Sequence, residues 1–77
     1  MQLDGVRAKF EAAGHSVSVR GDVSEVAAAW FLDCSVKTMR NWRSMRKGPP
    51  YLKLPSGVRY PIAGLFTWCE ANVTRAA

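Results

Sequence analysis

The tripeptide Gly48-Pro49-Pro50 constrains this chain more than any other feature. Glycine ends helices and proline cannot continue one, so any helix formed by the preceding VKTMRNWRSMRK must stop there. Two further breaks follow, at Pro55-Ser56-Gly57 and at Pro61. They leave room only for short pieces. Tyr51–Leu54 and Val58–Tyr60 read as two strands of a hairpin around the Pro/Gly turn. Pro61 suits the first position of a helix in which Ile62, Leu65, Phe66 and Cys69 share a face and Trp68 flanks it. The second half of the chain is therefore expected to be helix, hairpin, helix.

The helix before the break has two unlike sides. At about 100° per residue, Val36, Met39, Trp42 and Met45 fall on one, and Lys37, Arg40, Asn41 and Ser44 on the other. Ser35 is its expected N-cap. Upstream, Asp22-Val23-Ser24-Glu25 reads as a capping box. Val23, Val26, Ala27, Trp30 and Phe31 then give a wide apolar face, with Ala27, Ala28 and Ala29 allowing a close neighbour. Leu32-Asp33-Cys34 is a tight connection. Two short helices joined in this way form a helix-turn-helix.

Further upstream, Leu3, Val6, Phe10 and Ala13 mark a short N-terminal helix ending at Gly14, expected to pack on the domain as a satellite, the alternative being a partner-binding helix. His15–Arg20 alternates as HSVSVR, a short strand pattern closed by Gly21. His15 is expected at the surface, without a role. Residues from Asn72 onward are expected to fray.

Charge is partitioned along this frame. Cys34–Tyr60 contains Lys37, Arg40, Arg43, Arg46, Lys47, Lys53 and Arg59 and no acidic residue, a local charge of +7. The rest carries −2, so the whole 77-residue chain is +5 with a pI near 9.8. A groove-reading helix needs one face packed on protein and the other armed with groups that reach bases and phosphates. Arginine pairs with guanine and asparagine with adenine. Arg43, Arg46 and Lys47 flank that face toward the phosphates. Lys53 and Arg59 are expected to point outward from the hairpin, and Tyr51 and Val58 inward, making the hairpin a basic wing for the backbone or minor groove.

Other chemistries have little support. Cys34 and Cys69 lie 35 positions apart, outside any C-x-x-C pair, and His15 is the sole histidine. No metal site is expected, and both thiols are read as small buried hydrophobes. No carboxylate pair, Cys–His arrangement or phosphate loop suggests an enzyme, and no cofactor is expected. No run of 18 apolar residues or secretory signal appears, so a cytoplasmic, nucleoid-associated location is expected.

The run from Val23 to Ala71 resembles the small winged-helix proteins of phages and mobile elements: excisionases and AlpA-type regulators, relatives of the MerR-type DNA-binding domain. The likeness lies in Ser35…Thr38-Met39-Arg40-Asn41-Trp42, Gly48-Pro49-Pro50-Tyr51, Lys53-Leu54, Val58-Arg59-Tyr60, Leu65 and Trp68. It implies a mainly α fold with a small β-hairpin wing, a winged helix-turn-helix with an extra N-terminal helix and short strand. One domain spans 1–77: an extension over 1–21, the helix-turn-helix over 22–47, the wing over 51–60 and a closing helix over 61–71. It also implies major-groove contacts from Ser35, Lys37, Thr38, Arg40, Asn41 and Arg43, and wing contacts from Lys53, Ser56, Gly57 and Arg59. The expected function is sequence-specific binding of double-stranded DNA without catalysis. As an excisionase such a protein would bend repeated sites beside an attachment site and assist an integrase; as a regulator it would occupy an operator. Specificity would call for tandem or paired copies. The alternatives are the DNA-recognition part of a phage packaging machine, or an interaction protein such as an antirepressor. The chain departs from the family in having Gly64 where an acidic residue usually precedes the leucine at position 65, and in its longer N-terminal segment.

Overall fold

The structure of the protein is a computed structural model describing residues 3–72. Among these, four helices and one three-stranded antiparallel sheet form a small domain, in the order α1 (Leu3–Ala12), β1 (Asp22–Ser24), α2 (Glu25–Leu32), α3 (Val36–Ser44), β2 (Leu52–Leu54), β3 (Gly57–Pro61) and α4 (Ile62–Asn72). The strand order is β1-β3-β2, so β3 is bonded on both edges. Val23 pairs with Tyr60 on one side of it, and Lys53 with Val58 on the other. Paired residues share a face of the sheet. Val23, Val58 and Tyr60 accordingly meet the helices, and Val23 and Tyr60 are fully buried.

The core is built from Phe10, Val23, Ala27, Ala28, Ala29, Met39, Tyr60, Ile62 and Leu65. Phe10 gives α1 its place: its ring stacks on Phe31 and meets Trp30 edge-on. The N-terminal helix thus packs on the domain, as its periodicity predicts, and is part of the core instead of a satellite. Val6 joins at the margin, while Ala13 is exposed and Leu3's side chain lies outside the described ones. At the other end α4 runs through Asn72, whose Nδ2 donates to the Trp68 carbonyl at 2.9 Å. The expected fraying of 73–77 falls outside the described residues.

Several local expectations are corrected. The alternating HSVSVR segment is not a strand; Val19 is 93% exposed, and the chain turns over Ser18–Gly21, where Gly21 takes φ 86°. The strand lies just after it. Asp22 does not cap α2. Ser24 does, its hydroxyl accepting from the Ala27 amide at 3.2 Å, because the Asp22 carboxylate is engaged elsewhere. On α2 the alanines are buried and Val26 and Trp30 are largely exposed. The helix is packed against α3 and the sheet through its small residues, which allow the closest approach. Pro61 ends β3 instead of opening α4, one position off.

The connection from α2 to α3 is three residues long. Asp33 adopts the left-handed conformation, φ 55° and ψ 48°, which aspartate tolerates better than most residues. Cys34 then returns an amide hydrogen bond to Ala29 O at 3.0 Å. Both cysteines are free and half-buried.

Candidate nucleic-acid interface

Helix α3 is oriented by Met39, which is buried, and by the half-buried Val36 and Trp42. Trp42 packs on Trp68 of α4, ring centroids 5.1 Å apart. With that side fixed, Lys37, Arg40, Asn41 and Ser44 are all exposed together, the face expected from their spacing. Ser35 caps the helix as expected, accepting from the Thr38 amide at 3.0 Å, and its hydroxyl also lies 2.9 Å from the Thr38 hydroxyl. Both groups therefore already serve the helix start.

The two arginines are not independent charges. Glu25, in the first turn of α2, accepts from Arg40 Nε at 3.2 Å through Oε1 and pairs with Arg43 through Oε2. Arg43 also donates to the Tyr60 hydroxyl at 3.3 Å and lies over the Tyr51 ring, 5.8 Å from its centroid. Burial pushes the Tyr60 phenol up, and the Arg43 charge pulls it back only in part. The phenol thus stays a neutral acceptor for Arg43 near neutral pH. Glu25 and Tyr60 were not legible as site residues, because they stand 15 and 17 positions from the arginines they hold.

Helix α3 stops at Ser44, short of Gly48. Met45 is its C-cap, and Arg46 takes a left-handed φ of 58°. Met45 consequently turns out to solvent, although its spacing puts it on the apolar face. The corner that follows is closed by an amide bond from Lys47 to Trp42 O at 2.7 Å and by Gly48, φ 87°, where a Cβ would lie 2.9 Å from Trp42 Cβ. Arg43, Arg46, Lys47, Pro50 and Tyr51 border an open concavity of about 430 Å³ at this corner. Pro50 itself lies against α4 at Gly64, where a Cβ would meet its Cγ at 2.7 Å. Any side chain at the position where an acidic residue was the family expectation would strike that ring.

The hairpin divides its two cations between opposite faces. Lys53 pairs with Val58, whereas Arg59 pairs with Leu52 and Ser24. Lys53 is exposed, on the face that carries Tyr60 toward α3. Arg59 does not project outward: its side chain is 25% exposed, and it donates from Nε to Asp22 Oδ1 and from Nη2 to Asp22 O, both at 3.0 Å. Ser56 and Gly57 are exposed at the turn. Tyr51 is also partly exposed, its ring 6.1 Å from that of Tyr60.

Asp22 is the fixed point beneath the hairpin. It is 1% exposed, accepts from Ser18, Arg20 and Arg59, and holds Arg20 at 2.8 Å. Burial pushes its carboxyl up, but the three donors and the Arg20 charge outweigh that and bring it down to about 2. Cys34 is pushed up by burial and by Asp33, which keeps it a thiol. Among the described residues no group of three or more His, Cys, Asp or Glu could hold a metal, and no helix is long and apolar enough to cross a membrane. Comparison with protein families, curated proteins and solved structures finds no match.

Proposed function

We propose that this chain is a non-enzymatic double-stranded DNA-binding protein with winged helix-turn-helix architecture. In this reading α2 and α3 are the helix-turn-helix, α3 enters the major groove, and the β2–β3 hairpin is the wing. One observation carries it: Lys37, Arg40, Asn41 and Ser44 form an exposed row on α3, on the side away from the buried Met39. That row has the donors that base edges accept, and a phosphate-compatible charge at its flanks in Arg46 and Lys47. With Lys53 on the hairpin, the exposed cations around the row that have no salt bridge among the described residues are Lys37, Arg46, Lys47 and Lys53. Arg59 serves the fold instead. Association with a phage or mobile element, as an excisionase or a regulator working beside an integrase, rests on the sequence resemblance alone.

The test is binding of the full chain to 20-bp duplexes over a range of salt. About four phosphate contacts give a slope of log K on log[salt] near −4. A slope near zero removes the DNA reading. Regularly spaced protections over an attachment site favour the excisionase; a single protection over a promoter favours the regulator.

A further inference from the structure

Arg40 is exposed yet anchored. Its side chain is 68% exposed, and its one hydrogen bond, from Nε to Glu25 Oε1, engages only one edge of the guanidinium. Among the described residues neither Nη1 nor Nη2 of Arg40 has a hydrogen-bond partner. The guanidinium is a planar fork, so a bond at Nε restrains where the group points and leaves the Nη1–Nη2 edge free to donate. Glu25 is itself held still. Its side chain is 14% exposed, and its second oxygen is paired with Arg43, which Tyr60 and Tyr51 hold in turn. A long surface side chain otherwise samples many rotamers, and ordering it on binding is unfavourable.

We propose that Glu25 is a positioning residue that presents the Nη1–Nη2 edge of Arg40 to the O6 and N7 acceptors of a guanine, making Glu25 a determinant of sequence specificity. This deepens the DNA-binding reading and rests on it. The arrangement trades one property for another. A carboxylate beside the bound duplex repels phosphate whatever the sequence, so Glu25 lowers general affinity while raising discrimination. A purely structural ion pair would do neither selectively.

The experiment selects a preferred site from 20-bp duplexes with a randomised centre, using the full chain. Binding is then measured to that duplex, to copies with each guanine replaced in turn by 7-deazaguanine, which lacks the N7 acceptor, and to an alternating dA·dT duplex. The wild-type chain is expected to lose about tenfold or more on one 7-deazaguanine replacement. Glu25→Ala should shrink that penalty to below about threefold while binding the dA·dT duplex as tightly or more tightly. Adding Glu25→Ala to Arg40→Ala should change the penalty no further. Equal weakening on all duplexes, or an effect of Glu25→Ala on the 7-deazaguanine penalty that persists without Arg40, overturns the proposal. If Glu25→Ala melts below the assay temperature, Arg40→Met decides. Methionine keeps most of the apolar stem but has no donor, so a retained 7-deazaguanine penalty overturns the pairing of Arg40 with guanine. A wild-type chain that binds no duplex at all fails earlier, at the DNA reading itself.

Discussion

Arg59 binds Asp22 twice, through the carboxylate and through the backbone carbonyl, each at 3.0 Å. The two residues are 37 positions apart, and the contact ties the N-terminal segment to the hairpin. Asp22 is the buried partner, and losing its carboxylate leaves Arg20 and Arg59 without a counter-charge. Asp22→Ala is expected to cost about 3 kcal/mol, the low end for breaking a buried pair because both arginines reach solvent. Arg59→Ala should cost less, about 1–2 kcal/mol, since Ser18 and Arg20 still satisfy the carboxylate. Urea melts check both values. If the protein binds DNA as proposed, the salt slope separates structure from contact. Lys53→Ala should reduce it by about 0.9, and Arg59→Ala should leave it unchanged.

The same carboxylate sets an acid limit. Its folded-state value of about 2 lies below the ordinary 3.8. A depressed carboxylate stabilises the fold fully above its unfolded value, and this contribution disappears as pH falls from 3.8 toward 2. One unit is about 1.4 kcal/mol; with solvent reaching the arginines around it, the loss should be about 1–2 kcal/mol. Melts between pH 6 and pH 2 should show this drop in the wild type. In Asp22→Asn the drop should be smaller by that amount.

Three glycines should respond differently to alanine. At Gly5, in α1, a Cβ meets nothing within 4 Å. Gly5→Ala should stabilise by about 0.5–1 kcal/mol through helix propensity alone. At Gly64, also helical, the same gain is opposed by Pro50 Cγ at 2.7 Å, and a net loss of about 1–2 kcal/mol is expected as the Pro49-Pro50 segment is displaced. Gly48→Ala combines φ 87° with a contact to Trp42 Cβ at 2.9 Å and should be the worst of the three. In a domain of this size each kcal/mol moves Tm by about 4–8 °C, so calorimetry resolves the order.

Phe10 tests whether α1 belongs to the cooperative unit. It is fully buried and stacks on Phe31. Phe10→Ala is expected to cost about 3–4 kcal/mol and to lower a single transition. A separate early transition with the remainder unchanged would show α1 to be an independent attachment.

Much of this arrangement was readable because its signals are local. Ser35 caps within three residues, Gly48-Pro49-Pro50 interrupts within three, and the hairpin is bracketed by its own turn residues. The α3 row follows from spacing alone. What escaped was long-range. Asp22 followed by Glu25 satisfies a capping pattern, yet Asp22 is claimed by an arginine on another strand and Ser24 takes the cap. Val17 and Val19 alternate correctly for a strand, but alternation supplies no partner edge, and β3 pairs with Val23 instead. On α2 the periodic large residues looked like the inward face. The sheet and α3 approach so closely that only Ala27, Ala28 and Ala29 fit there, and Trp30 is pushed to the rim, where His15 covers part of it, ring centroids 5.3 Å apart. Arg40, Arg43 and Arg59 counted as free charge in the sequence because none of their acidic partners is a neighbour along the chain.

The sheet joins its helices without slack. Ser24 ends β1 and Glu25 begins α2; Pro61 ends β3 and Ile62 begins α4, with no intervening residue at either junction. Since β1 and β3 are bonded to each other, the hairpin cannot swing relative to α2 or α4 without tearing ladder hydrogen bonds beside a helix start. The spacing between the α3 row and the hairpin tip is therefore a fixed gauge. If the protein binds DNA as proposed, a duplex that touches both must match that gauge or be deformed to it, and its stiffness becomes part of what is selected.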